Sequence, residues 1–183
     1  MHIKLDKTGT VYWITGLAGA GKTSIALALF KALVARNEKA VFLDGDAMRE
    51  IMGNDLQHNT KDRIKNAYRI SRMCCFLADQ GVNVVCATMS LYHEVQCWNR
   101  NNIDNYFQIY VKVSMEVLLK RDQKSLYSKA MKGDEKNVVG VDLSFEEPIN
   151  SDLVLENNEE TNNFTTFAEK IIEQRLLFKK ELG

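Results

Sequence analysis

Residues 16–23 read GLAGAGKT, and this stretch decides the fold. It fits G-x-x-x-x-G-K-[ST] without a mismatch. Just before it, TVYWIT (10–15) is β-branched and aromatic, which predicts a strand. Just after it, TSIALALFKALVAR (23–36) sets Ile25, Leu29, Ala32 and Leu33 at helical spacing. A strand that breaks into glycines and opens a helix is the context this motif needs. Gly16, Gly19 and Gly21 let the backbone wrap closely round a phosphate, with Ala20 and Ser24 on the same turn. Successive N–H groups then point inward, and the helix N-terminus adds positive potential. Lys22 is placed to reach the β- and γ-phosphates and the Thr23 hydroxyl to bind Mg²⁺, so ATP and Mg²⁺ are the expected cofactors. A chance glycine turn before a helix is the competing reading, and motif and context together stand against it.

Outward from the loop, the chain alternates. KAVFLD (39–44) predicts a second strand, 60–80 a long helix, and VNVVCAT (82–88) a strand buried on both faces. A helix at about 91–101, the strand YFQIYVKV (106–113), a helix near 115–121 and the strand SDLVLEN (151–157) follow. A closing helix spans 164–182. The inner side of the 60–80 helix is expected to carry Ile64, Ala67, Ile70, Met73, Cys74 and Leu77. That of the last helix is expected to carry Phe164, Phe167, Ala168, Ile171, Leu176 and Phe178. Repeated βαβ units mean an α/β fold, a parallel sheet with helices on both faces. The 183 residues read as one domain. Only 122–150 lacks a clear period, and so long an irregular stretch inside a compact domain predicts a mobile lid.

Composition narrows the function classes. With 45% apolar and 26% charged residues the chain is globular rather than disordered. Lysine plus arginine equals aspartate plus glutamate, 24 each, so there is no electrostatic footprint for a nucleic acid polymer or an anionic membrane. No apolar run approaches membrane length, and MHIKLDKTGT lacks the apolar centre of a signal peptide. Cys74, Cys75, Cys86 and Cys97 show no CxxC pairing, so reduced, packing thiols in a cytoplasmic protein are expected. A homodimer is compatible with the sequence. Guanine-specific Asn-Lys-x-Asp is absent.

LDGDAMR (43–49) falls at the carboxyl end of the second strand, where ligands bind in open α/β sheets. Asp44 and Asp46 straddle a glycine and can both face the phosphate site. A carboxylate there holds a magnesium-bound water or takes a proton from an attacking hydroxyl. Arg49, one helical turn on, suits an anionic acceptor. The alternative is a capped turn, with Asp46 as N-cap and Arg49 solvated. In DRIKNAYRISR (62–72), Arg63, Asn66 and Ile70 share a helix face, with Arg69 and Arg72 beside it. Such a basic face, like Arg100 further on, is often only solvated surface.

GLAGAGKTS, LDGDAMR, DRIKNAYRI, ATMSLYH and RDQKSLYSKA, taken in this order, resemble the adenylylsulfate (APS) kinases, P-loop kinases that phosphorylate the 3′-hydroxyl of adenosine 5′-phosphosulfate. The resemblance covers about residues 10–157. It implies that Asp46 is the base or a magnesium ligand alongside Thr23, and that Arg49, Arg63 and Asn66 contact the acceptor nucleotide. It also implies that Ser90 lies next to the acceptor, with Arg121 and Lys124 at the base of the lid near ATP. Gly140 and Asp142 match the family's F-T-G-I-D lid segment.

Departures fall on the acceptor side. The family's D-L-G-F is Asp55-Leu56-Gln57-His58 here, and its F-T-G-I-D is Val138-Val139-Gly140-Val141-Asp142. The two phenylalanines that sandwich the acceptor's adenine are thus His58 and Val138. Its I-S-P-Y-R becomes Met89-Ser90-Leu91-Tyr92-His93. His58 and His93 are candidate new acceptor contacts, or else half-exposed loop histidines. The expected activity is an ATP- and Mg²⁺-dependent kinase acting on the ribose 3′-hydroxyl of a nucleotide with a modified 5′-phosphate. The acceptor is either adenylyl sulfate or a cytidine 5′-diphosphate derivative, since APS-kinase-like proteins of capsule pathways act on cytidine diphosphoramidate. The competing class is a catalytically weak nucleotide-binding regulator, whose mark would be loss of Lys22, Thr23 or Asp46. A gluconate- or shikimate-type kinase fits the RDxK–LY block poorly.

Overall fold

The computed structural model describes residues 8–159 and 163–181. Strand β1 (Val11–Thr15) is buried along its whole length. Its glycine turn opens α1 (Lys22–Ala35), and β2 (Ala40–Asp44), α2 (Gly45–Ile51) and α3 (Thr60–Asp79) follow. Then come β3 (Asn83–Ala87), α4 (His93–Asn102), β4 (Tyr106–Lys112) and α5 (Met115–Arg121). A single 3-10 turn at Gln123–Ser125, α6 (Leu126–Lys132), β5 (Leu153–Glu156) and α7 (Thr165–Glu181) complete the described chain. All strand pairings are parallel, in the order β2-β3-β1-β4-β5.

Alternation along β1 divides the core in two. Tyr12 and Ile14 face Ile25, Leu29 and Leu33 of α1 and Ile171 of α7. Val11 and Trp13 face Ile70 and Cys74 of α3 and Val95 of α4. Each fully buried side chain of this size is worth roughly 1.5–3 kcal/mol in transfer free energy, so both faces need their helices. Among the described residues the four cysteines form no disulfide, and Cys74 and Cys86 are buried. Among the described residues no helix is long and apolar enough to cross a membrane.

The expected elements are present, with three corrections. Residues 122–150 are not irregular throughout: α6 lies within them, capped at its C-terminus by Gly133 at a φ of +80°. In α3 the buried line runs through Ala67, Ile70, Cys74 and Ala78, with Ser71 beside it, while Met73 is 37% exposed. In α7, Leu176 points outward and Arg175 turns inward, packing its guanidinium 5.9 Å from the centre of the Phe107 ring and donating to Asn105 Oδ1 at 3.1 Å. A long stem that buries its methylenes while its head finds an acceptor can replace a leucine on a helix's inner face, and a purely apolar period misses it. The first seven residues and residue 182 lie outside the described residues.

Candidate active site

β1 ends between β3 and β4, and Asp44 at the end of β2 pairs with Ala87 of β3. The GLAGAGKT loop and the Asp44–Arg49 segment therefore leave the same carboxyl edge of the sheet, beside the point where strand order reverses. Gly21 is the N-cap of α1, with φ +93°. A Cβ there would stand 2.7 Å from Asn157 Nδ2, so both conformation and contact require glycine. Lys22 Nζ donates to Leu17 O at 2.8 Å, closing the loop on itself. Burial pushes the Lys22 ammonium down to about 8, while the Asp46 and Asp44 carboxylates pull it the other way.

The two aspartates play separate parts. Asp44, not Asp46, is the N-cap of α2: its Oδ1 accepts from the backbone N–H of Asp46 (3.0 Å) and Ala47 (3.4 Å). Its Oδ2 accepts from Thr23 Oγ1 at 3.0 Å, joining the loop to α2. Asp46 is exposed and lines the cavity described below. Thr23, Asp44 and Asp46 together offer hydroxyl and carboxylate oxygens only. Among the described residues no group of three or more His, Cys, Asp or Glu could hold a metal. That donor set fits Mg²⁺, a hard ion bound by one or two carboxylates together with substrate phosphates and water.

Across from the loop, two arginines are fixed on backbone carbonyls. Arg49 Nη1 donates to Leu56 O (2.9 Å) and Gln57 O (3.2 Å). Arg63 Nε donates to His58 O (2.6 Å) and its Nη2 to Asn137 O (3.0 Å). Desolvation, then the positive Arg63 and Arg49, holds the His58 imidazole below its ordinary value, so the neutral ring prevails at neutral pH. The Asp142 carboxylate accepts from the N–H groups of Asn137 and Val138, both at 2.6 Å, and turns the chain so that Val138 is buried. These backbone hydrogen bonds hold Asp142 below the usual carboxylate range.

Twelve expected residues line one cavity of about 730 Å³: Gly19, Lys22, Thr23, Ser24, Asp44, Asp46, Arg49, His58, Arg63, Asn66, Lys124 and Val138. Six cationic side chains face it against three carboxylates, which suits polyanionic ligands. Gly16, Ala20, Gly21, Ser90 and Arg121 stand outside the lining. Ser90 is fully buried and pairs with Thr15: its N–H donates to Thr15 Oγ1 (3.3 Å), which donates back to Ser90 O (3.1 Å). Arg121 lies behind the loop, donating to Gly19 O (3.5 Å) and Asn157 O (2.8 Å).

His93 also faces elsewhere, against Glu146 and the Glu147 carbonyl. The remaining arginines of the basic stretch, and Arg100 beyond it, are engaged by neighbouring side chains. Arg69 pairs with Asp55, Arg72 lies 5.6 Å over both the Tyr68 and Trp98 rings, and Arg100 pairs with Asp152 at 2.9 Å. Thr88, Gln123, Lys129, Glu135, Lys136 and Asn137 line the cavity without having been expected. The lysines among them sit in the aperiodic stretch, where unpaired positive charge is the signal a sequence can offer.

The family model described as adenylylsulphate kinase matches residues 8–156. The cytidine diphosphoramidate kinase of Campylobacter jejuni is 41% identical over 167 residues, covering 91% of this chain and 96% of its own. The adenylyl-sulfate kinase of Deinococcus deserti is 40% identical over 148 residues, 81% of this chain and 82% of its own. Among solved structures, the Mycobacterium tuberculosis APS kinase in complex with AMPPNP and APS superposes with a TM-score of 0.84 at 30% identity, covering 92% of this chain and 98% of that one. With the loop, the paired aspartates and the fold in agreement with a match of this extent, the chain belongs to the adenylylsulphate kinase family and is a nucleotide kinase.

Proposed function

We propose that this kinase transfers the γ-phosphoryl group of ATP to the ribose 3′-hydroxyl of a cytidine 5′-diphosphate derivative of the cytidine diphosphoramidate type, in preference to adenylyl sulfate. One observation carries the choice: among the described residues no phenylalanine, tyrosine or tryptophan lines the cavity, and His58 is its only ring. A purine clamp needs two aromatic faces, whereas a pyrimidine offers less area to stack and loses less without them. The Campylobacter relative, a cytidine diphosphoramidate kinase, supports the same reading.

In this reading Lys22 and the loop N–H groups hold the transferring phosphoryl, and Asp46 accepts the hydroxyl proton. Arg49, Arg63, Asn66 and Lys124 bind the acceptor's charged and polar groups. Thr23 and Asp46 would hold Mg²⁺, which supplies charge neutralisation at the phosphates when bound. Residues 1–183 are one kinase domain working in the cytoplasm, with 122–150 closing as a lid. The test is acceptor-dependent ADP release by the purified protein with ATP and Mg²⁺, across a nucleotide panel that includes APS and cytidine 5′-diphosphate derivatives. A higher kcat/KM for a cytidine derivative is expected. A higher value for APS reverses the acceptor choice, and no turnover with any acceptor removes the kinase reading in favour of a regulator.

A further inference from the structure

Four consecutive carbonyls of the phosphate loop are each held by a side chain. Leu17 O accepts from Lys22 Nζ (2.8 Å), Ala18 O from Tyr127 Oη (2.9 Å), Gly19 O from Arg121 Nη1 (3.5 Å) and Ala20 O from Asn157 Nδ2 (2.9 Å). Three of the donors come from outside the loop and from separate places in the fold: α5, α6 and the segment after β5. Tyr127 is fully buried and Asn157 is 4% exposed. Asn157 is itself held at both backbone ends, its N–H on Lys112 O (3.0 Å) and its O on Arg121 Nη2 (2.8 Å). Tyr127 N–H is fixed on Asp122 Oδ1 at 2.9 Å.

In a trans peptide the C=O and the following N–H point in opposite directions. Holding Ala18 O and Ala20 O outward, toward α6 and β5, turns the N–H groups of Gly19 and Gly21 toward the hollow of the loop. We propose that Tyr127 and Asn157 are positioning residues that pre-set the peptide planes of the phosphate loop for the phosphate chain of a nucleoside triphosphate, acting through the loop without touching the substrate. This deepens the kinase reading at its donor side and depends on it only in taking the loop as the phosphate site. Through Tyr127, α6 also anchors the root of the 122–150 segment to the loop. Burial pushes the Tyr127 phenol up to about 12, so its hydroxyl stays a donor at every working pH.

Tyr127→Phe removes one oxygen and keeps the ring, and Asn157→Asp replaces the donor by an acceptor facing Ala20 O. The probe is inorganic tripolyphosphate, with affinity read by calorimetry beside the KM values for ATP and acceptor and the thermal midpoint. Losing one such hydrogen bond is expected to weaken tripolyphosphate and ATP roughly three- to tenfold in Tyr127→Phe, and more in Asn157→Asp. The acceptor KM should stay where it is. A merely structural role would instead lower the thermal midpoint and weaken both substrates alike. Unchanged tripolyphosphate affinity in Tyr127→Phe, or a loss shared equally by ATP and acceptor, overturns the proposal. Should Asn157→Asp fail to fold, Tyr127→Phe decides alone. Should no acceptor be phosphorylated, the kinase reading falls while the tripolyphosphate measurement still tests this one.

Discussion

Arg63 Nη2 donates to Asn137 O at 3.0 Å, joining the first turn of α3 to a segment 74 residues away. The same guanidinium holds His58 O through Nε. One side chain therefore fixes both walls on which the acceptor's base is proposed to rest. Hydrogen bonds from a charged donor contribute about 1.5–3 kcal/mol, so Arg63→Ala should free the 137–143 turn at least tenfold in local opening. Hydrogen exchange should show faster amides there while Tyr127 in α6 stays protected, and the acceptor KM should rise. Unchanged exchange at 137–143 would show that the turn's own backbone hydrogen bonds and the Asp142 carboxylate hold it without Arg63.

Asp46→Asn is nearly isosteric and leaves the α2 cap on Asp44 intact. A general base contributes typically about 10²–10⁴-fold, and removing it should lower kcat with little change in acceptor KM. If KM alone moves, Asp46 binds and does not abstract. The carboxylate to test next is then Asp44, although its oxygens are occupied by Thr23 and two backbone N–H groups.

With Lys22 on the phosphates as proposed, its lowered ammonium should give the enzyme an alkaline limit. Its ammonium, brought to about 8 by burial, is charged below that pH and neutral above it. Because kcat/KM reports the free enzyme, its value for ATP should fall as pH rises through about 8. Bound phosphates favour the charged form, so the inflection in kcat should lie higher. The folded protein binds fewer protons at this site than the unfolded chain between about 8 and the ordinary lysine value, so the same group adds stability as pH rises through that window. A kcat/KM for ATP that is level to about pH 9.5 would contradict the assignment. Lys22→Ala should abolish turnover while the thermal midpoint is retained.

How far the sequence carries this site depends on the kind of signal. The loop is legible because its residues are contiguous and its glycines are required by local geometry, as the positive φ of Gly19 and Gly21 shows. Asp44 and Asp46 are legible as a pair, but their division of labour is not: which one caps α2 depends on where the helix starts, and that is set by the turn after β2. The contacts of Tyr127, which falls in the RDxK–LY block, and of Asn157 are hidden for another reason. Their bonds to Ala18 O and Ala20 O span 109 and 137 residues, and no period or motif encodes a contact that only the packed sheet creates. Ser90 shows the reverse failure, since a motif match placed it at the cavity whereas the pairing with Thr15 buries it beneath.

The base-binding walls supply the sharpest test of acceptor choice. Stacking on an aromatic side chain is worth roughly 1–3 kcal/mol per base, and about 1.4 kcal/mol is tenfold in affinity. With His58 and Val138 in place of two phenylalanines, APS should bind tens- to hundreds-fold more weakly, by roughly that stacking energy, than in a kinase with the full clamp. The neutral His58 ring can stack and hydrogen-bond to a pyrimidine, and Val138 cannot stack. His58→Phe with Val138→Phe should therefore shift the kcat/KM ratio toward APS. The two sites differ in tolerance. His58 is exposed and accepts a larger ring, whereas Val138 is 4% exposed, and adding ring volume there costs typically about 1–3 kcal/mol in overpacking. His58→Phe alone should thus give part of the shift without loss of thermal stability, and the double change the rest at a lower thermal midpoint. Efficient micromolar turnover of APS by the unmodified protein, unimproved by either change, would show that stacking does not select the acceptor in this cavity.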